Sequence, residues 1–256
     1  MCAIFGLGLM KGSKFRSKKK LADIIRVLFS ESSERGNDAS GLACIFENKF
    51  KIVKRNVRAP VFIKSEEYNN FEKENLTDNS EMPLAVLGHC RLQTQGTHRS
   101  NGNNHPIIYN DVVGVHNGCI GNDGKLFYEY KQNIARKAEV DSEIIFALIH
   151  HFSTTGTHIH KAIQKASGKI SGSMACAMSH AKYPDIVWLF RNNMPCDIRL
   201  YDKVGLVVWS SSDQYIRTAT EKYRSEIGAG QVLTLNRDCG AAIDLKENGI
   251  FKFPMV

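Results

Sequence analysis

The second residue constrains this chain more than any other. Cys2 follows Met1 directly and opens the apolar run Cys2-Ala3-Ile4-Phe5-Gly6-Leu7-Gly8-Leu9. A side chain this small lets the initiator methionine be trimmed, which leaves a thiol and a free α-amine on one carbon. The thiol is a nucleophile once deprotonated, and the amine is a base within one residue's reach. A terminal amine titrates at roughly 7.7–8.0, so on the order of a tenth of it is neutral near pH 7. It can take the thiol proton and later return it to a leaving group. Read alone, Cys2 is a small apolar residue opening a buried strand. The rest of the chain decides against that reading.

No apolar run approaches the roughly 18 residues that span a bilayer, and Lys11 to Lys20 interrupts any signal-peptide core. A membrane partner is therefore not expected. The seven cysteines are odd in number and scattered, with no Cys-x-x-Cys. That pattern argues against a disulfide framework or structural zinc, and the reducing cytoplasm is the natural compartment. A formal net charge of +8 permits acidic partners without demanding them. The densest basic run, Lys11 to Lys20, reads as a solvated loop leading into a helix. It lacks the interleaved aromatics of a single-strand groove, which argues against a nucleic-acid partner.

Apolar spacing predicts a strand over 2–9, a helix over 21–29, and a hairpin of 42–47 with 50–57 around Glu47-Asn48-Lys49. Residues 65–82 read as a polar surface excursion. Buried strands are expected at 84–89 and 112–116, a helix from Asp141 through Phe152, and another over 158–166. The C-terminal half is strand-rich, at 173–180, 186–191, 200–201, 205–209 and 231–236, with a helix over 213–220. No linker or repeat divides the chain, so residues 2–256 are expected to form a single α+β layered domain.

Four segments stand beside Cys2: Arg35-Gly36-Asn37-Asp38-Ala39-Ser40-Gly41, Gly88-His89-Cys90-Arg91-Leu92-Gln93-Thr94-Gln95-Gly96, His116-Asn117-Gly118 and Asp141-Ser142-Glu143. Asn104-His105-Pro106 lies between the second and third. In this order they resemble the class II glutamine amidotransferase family, over Cys2 to about Glu143 and weakly on to Ser211-Ser212-Asp213. The resemblance implies an N-terminal nucleophile hydrolase fold, a four-layer α-β-β-α sandwich with the nucleophile at the start of a central strand. It also implies a glutaminase that feeds ammonia to an acceptor. Ala3, Leu92, Gln95 and Gly121 depart from the family's common pattern, and none of them removes a group the chemistry needs.

By resemblance, Cys2 attacks the carboxamide carbon of L-glutamine and holds a γ-glutamyl thioester. The Asn117 side chain and the Gly118 N–H then form the oxyanion hole, each donor worth roughly 2.7–4 kcal/mol. Glycine fits there because a donor must approach without a Cβ in the way. Arg91 is expected to grip the α-carboxylate through its fork, Asp141 to pair with the α-ammonium, and Thr94 to add a polar contact. Arg35 matches the family arginine that orients the terminal amine. Asp38 reads as structural, and His89, His105 and His116 as packing or network residues. The pairs His150-His151 and His158-Ile159-His160 point to different sides of a helix, so no metal is expected. No cofactor is implied. With the chain ending at Val256, the acceptor is expected on a separate synthase, docking near Leu92 to Gly102 or, second, at the basic run. Two alternatives stay open: a hydrolase of the same type acting on another linear amide, and a non-catalytic regulatory domain of the same fold.

Overall fold

The computed structural model describes residues 1–77 and 81–255. The chain opens with β1 (Ala3–Leu9) and α1 (Lys18–Ser32), then the hairpin β2 (Ala39–Phe46) and β3 (Lys49–Arg55). Short α2 (Ala59–Phe62) and α3 (Glu66–Asn75) lead to β4 (Ala85–Arg91), β5 (Ile107–Tyr109) and β6 (Val112–Ile120). The helices α4 (Asp123–Glu129), α5 (Glu143–Thr154) and α6 (Ile159–Ser167) follow, then the strands β7 (Gly172–His180), β8 (Tyr183–Arg191), β9 (Asp197–Tyr201) and β10 (Leu206–Ser210). The chain closes with α7 (Asp213–Glu221), α8 (Arg224–Ile227), β11 (Gln231–Val232), β12 (Cys239–Asp244) and β13 (Gly249–Pro254).

Two antiparallel sheets face each other. One has the order β11-β9-β10-β1-β4-β2-β3, the other β13-β12-β8-β7-β6-β5. Strand periodicity explains the layering, since successive side chains alternate between faces. In β1, Ala3, Phe5, Leu7 and Leu9 pack into a core with Leu21, Ile25 and Phe29 of α1 and Ile216 of α7. Ile4 belongs instead to a second core with Trp209, Val113, Val115 and Leu189, which fills the space between the sheets. A third core packs α5 and α6 on the outer face of the other sheet, through Phe146, Ile149, Ile163 and Met178. The result is the expected α-β-β-α sandwich, with β1 central in its sheet.

Most expected elements are present with longer bounds, because ladder pairing extends strands beyond their apolar residues. β4 runs on to Arg91, and β6 runs through His116-Asn117-Gly118 to Ile120. Some readings need correction. Residues 65–82 are not simply a polar excursion: Ser65 caps α3, and Tyr68 is fully buried against Phe29 and Phe62. Residues 78–80 of that stretch lie outside the described residues. The basic run is only partly a solvated loop. Lys18 is buried at the start of α1, and Lys20 pairs with Glu226 over the rings of Phe15 and Tyr223. The strand expected over 231–236 shrinks to Gln231–Val232, while the C-terminal hairpin β12–β13 was not anticipated.

Candidate active site

The pleat gathers the candidate residues at one end of the space between the sheets. Cys2 shares the Ile4 side of the β1 run, facing the second sheet. On neighbouring β4, Ala85 and Leu87 point inward, so alternation carries His89 and Arg91 to the same side. The register places Ala3 opposite Cys90, which brings Cys2 beside Arg91. Across the gap, Val113 and Val115 of β6 face inward, and Asn117 continues that row. The two sheets are stitched here by the His89 Nε2–H, which donates to the His116 carbonyl at 2.9 Å.

Cys2 is buried, at 8% exposure. Its thiol donates to the Leu92 carbonyl at 3.3 Å and accepts from the Leu92 N–H at 3.4 Å. Burial pushes the thiol pKa up; the Leu92 N–H, the positive chain terminus and Arg91 pull it back less strongly, and Asp141 adds to the rise. The thiol therefore rests protonated, and a nucleophilic sulfur here needs a local base. β1 is anchored by Ser211, whose hydroxyl accepts from the Ile4 N–H at 3.0 Å and whose N–H donates to the Ile4 carbonyl at 2.9 Å. Arg35 Nε donates to the Cys2 carbonyl at 3.3 Å. That holds the peptide unit that follows Cys2.

Asn117 is 1% exposed, yet neither its Oδ1 nor its Nδ2 has a hydrogen-bond partner among the described residues. A buried amide left this way costs about 1–3 kcal/mol per unsatisfied group. Gly118 follows with φ +149°, and a Cβ there would lie 1.9 Å from the Ser173 carbonyl oxygen. Only glycine fits that backbone. β5 pairs with β6 no further than Gly114, so beyond that point β6 is an edge whose outward backbone groups no strand covers. The preceding residue is fixed: His116 Nε2–H donates to the Ser173 carbonyl at 3.2 Å, and its Nδ1 accepts from the Ser142 hydroxyl at 2.7 Å. Burial lowers the pKa of His116 and takes that of His89 down to about 3, so both rings are neutral.

Arg91 is 2% exposed, and its fork is engaged. Nη1 donates to Asn104 Oδ1 at 2.7 Å; Nη2 donates to the carbonyls of Gln95 and Gly96 at 2.6 and 2.7 Å. A carboxylate gripping both terminal nitrogens has to take over from those loop carbonyls. Asp141 is buried just ahead of α5; its Oδ2 accepts from the Ile120 N–H at 2.6 Å, two residues beyond Gly118. Its charge acts on both Cys2 and Arg91, which locates it at the same site. Thr94 is brought less close. It lies exposed on the loop after β4 and makes no hydrogen bond through its side chain among the described residues. Asp38 is structural in a way the sequence did not specify, with Oδ2 accepting from the Gln93 N–H across the loop at 2.6 Å.

Side-chain reasoning missed the contribution of backbone. The Leu92 amide and carbonyl on the thiol, and the Gln95 and Gly96 carbonyls on Arg91, leave no signature in residue type. The loop 92–104 is in turn tied down by Gln95 donating to Asp123 Oδ2 at 2.8 Å and by Asn103 donating to Glu139 Oε2 at 2.9 Å. The histidine pairs at 150–151 and 158–160 take no part. Among the described residues no group of His, Cys, Asp and Glu side chains is arranged to hold a metal ion.

Residues 89–217 match the family described as "Glutamine amidotransferase domain". The chain is similar to the glutamine–fructose-6-phosphate aminotransferase (isomerizing) of Staphylococcus aureus, 26% identical over 206 residues, covering 80% of this chain and 32% of that protein. Its counterpart in Staphylococcus epidermidis is 25% identical over 214 residues, covering 83% and 33%. Among solved structures, the glutamine phosphoribosylpyrophosphate amidotransferase of B. subtilis, complexed with ADP and GMP, superposes with a TM-score of 0.70 at 15% identity. That match covers all of this chain and 49% of that one. The chain thus spans about a third of the length of these curated relatives and about half of that solved chain.

Proposed function

The chain belongs to the class II glutamine amidotransferase domain family, and on that premise we propose that it hydrolyses the side-chain amide of L-glutamine through a Cys2 thioester, releasing glutamate and ammonia. The observation that carries the reading is the buried Asn117 amide with no hydrogen-bond partner among the described residues, on the row of β6 that strand alternation turns toward the same gap as Cys2. A polar donor held unsatisfied opposite a nucleophile is what a tetrahedral oxyanion requires.

The steps follow from the residues. With Met1 removed, the neutral α-amine of Cys2 takes the thiol proton, which overcomes the burial that otherwise keeps the sulfur protonated. The thiolate attacks the carboxamide carbon, and the new oxyanion lies between Asn117 Nδ2 and the Gly118 N–H. Collapse breaks the C–N bond; the ammonium of Cys2 returns its proton to the departing nitrogen, which leaves as ammonia. Water then attacks the thioester with the amine again as base, giving glutamate and restoring the thiol. Arg91 holds the α-carboxylate, Asp141 the α-ammonium, Arg35 the peptide beside the amine, and Thr94 lies where a loop closing on substrate adds a contact. Because the Leu92 backbone covers the thiol and the Gln95–Gly96 carbonyls cover Arg91, glutamine enters by displacing the stretch 92–96 at the start of this loop.

Residues 2–256 act as one domain in this reading, supported by the central core that draws on both sheets. The relatives' names pair glutamine with an amino acceptor. We extend the proposal to ammonia delivery to an acceptor on a separate synthase. Seven free thiols fit a cytoplasmic setting, and among the described residues no helix is long and apolar enough to cross a membrane.

The direct test is release of glutamate and ammonia from glutamine by the purified chain, with labelling by 6-diazo-5-oxo-norleucine mapped to Cys2. No turnover and no label with glutamine would remove the proposal. Met1 is 65% exposed and open to an aminopeptidase. Intact mass spectrometry should find the active protein starting at Cys2; full activity with Met1 retained would exclude the amine as base. Arg91→Lys should raise the glutamine KM by about tenfold or more with kcat nearly kept, since a point donor cannot replace a planar fork gripping the carboxylate in ground and transition states alike. Unchanged kinetics would mean the carboxylate is held elsewhere.

A further inference from the structure

Asn104-His105-Pro106 has no role in the mechanism above, yet Asn104 is fully buried beside Arg91. Its amide is used completely. Oδ1 accepts from Arg91 Nη1 at 2.7 Å, while Nδ2 donates to the His98 carbonyl at 2.7 Å and to Asn101 Oδ1 at 3.1 Å. A reversed amide would set NH2 against a guanidinium N–H and oxygen against two oxygens, so only one orientation works. The backbone of the same residue is clamped from the other side. Lys54 Nζ donates to the carbonyls of Asn104 and Pro106 at 2.7 and 3.0 Å. Between them, the His105 carbonyl presses onto Gly41, the register partner of Lys54, where a Cβ would lie 2.1 Å away. No carboxylate is paired with Lys54 among the described residues. Burial, with the like charge of Arg91 adding to it, lowers the Lys54 pKa to about 8. A cation kept there without a counter-ion serves to fix position.

We propose that Asn104 is a positioning residue that aims the Arg91 guanidinium at the α-carboxylate of glutamine, and that Lys54 sets Asn104 by fixing its backbone. The proposal rests on the glutamine reading above. Of the three acceptors on the Arg91 terminal nitrogens, Gln95 and Gly96 are carbonyls of the loop that substrate displaces, while Asn104 is a buried side chain that stays. It is therefore the contact that holds the guanidinium plane when glutamine arrives. A neutral Asn suits this role because it supplies an acceptor without a negative charge that would compete with the substrate's own carboxylate.

The test compares glutamine with glutamine α-amide, which keeps the reacting carboxamide and lacks the carboxylate. Asn104→Ala should raise the glutamine KM about tenfold with kcat within about twofold, as for any contact made equally in ground and transition states. Turnover of the α-amide should stay at the wild-type level, so the preference for glutamine collapses. In combination with Arg91→Ala it should add nothing further, because the two act as one unit. Lys54→Met, which leaves the Asn104 side chain intact, should give the same pattern at about threefold and carries the test if Asn104→Ala does not fold. Equal losses on both substrates, or additivity with Arg91→Ala, would overturn the positioning role while leaving the glutaminase reading standing. A wild-type protein inert toward glutamine would instead remove that reading.

Discussion

Replacing Cys2 with alanine is expected to lower glutamine turnover by roughly 10⁴-fold or more, with the melting temperature nearly unchanged. The change deletes one sulfur at the mouth of the site and leaves every strand pairing of β1 in place. Cys90 is adjacent in the sheet but points into the opposite core. Cys239 lies on β12, three strands from β6 in the other sheet. Burial pushes the thiols of Cys44, Cys90, Cys176 and Cys196 upward. Cys119 is exposed but its pKa is also raised, by burial first and then by Asp141. Labelling by 6-diazo-5-oxo-norleucine should therefore vanish in Cys2→Ala. Surviving activity, with the label moved to Cys119, would assign the nucleophile there.

Asn117→Ala is expected to separate function from stability. The kcat should fall about 10²–10³-fold, the usual loss for one oxyanion donor, with KM little changed. Stability should not fall and is expected to rise, because the native amide is buried with both ends unsatisfied and alanine removes that desolvation cost. Steady-state kinetics and calorimetry on the same preparation give both numbers. A lower melting temperature accompanying the lost activity would make Asn117 a structural residue. Asn117→Asp should be at least as damaging as alanine, since it sets an acceptor where a donor is needed.

Legibility in the sequence followed the physical origin of each feature. The strand 3–9 and the helix over 21–29 were readable because their apolar spacing is dense. The bounds of β4 and β6 were not, because Arg91, Asn117 and Gly118 are polar or small and are held in strand by ladder partners far away in sequence. A dipeptide Asn117-Gly118 ordinarily signals a turn; here nine residues of pairing with β7 override it. The surface excursion at 65–82 hid α3 because its apolar face is only Tyr68 and Phe71, set among polar and charged residues. Cys2, Arg35, Arg91, Asn117, Gly118 and Asp141 could be named because their motifs, taken in order, resemble those of the family, and the fold gathers them at one end of the sandwich. What the sequence could not carry were contacts made by backbone, such as Leu92 on the thiol, and side chains whose partners are themselves polar and buried, such as Asn104 on Arg91.

In the mechanism we propose, the nucleophile belongs to one sheet and the oxyanion donors to the other, with the His89–His116 bond as the polar stitch between them near the site. Inter-sheet spacing is thus a kinetic variable. Each methyl group in the layer formed by Ile4, Val113, Val115 and Leu189 acts as a shim that sets how far sulfur stands from amide. Drift at these positions is filtered by catalysis as well as by folding. A volume change the fold tolerates is read out as rate, some distance from any residue that touches substrate.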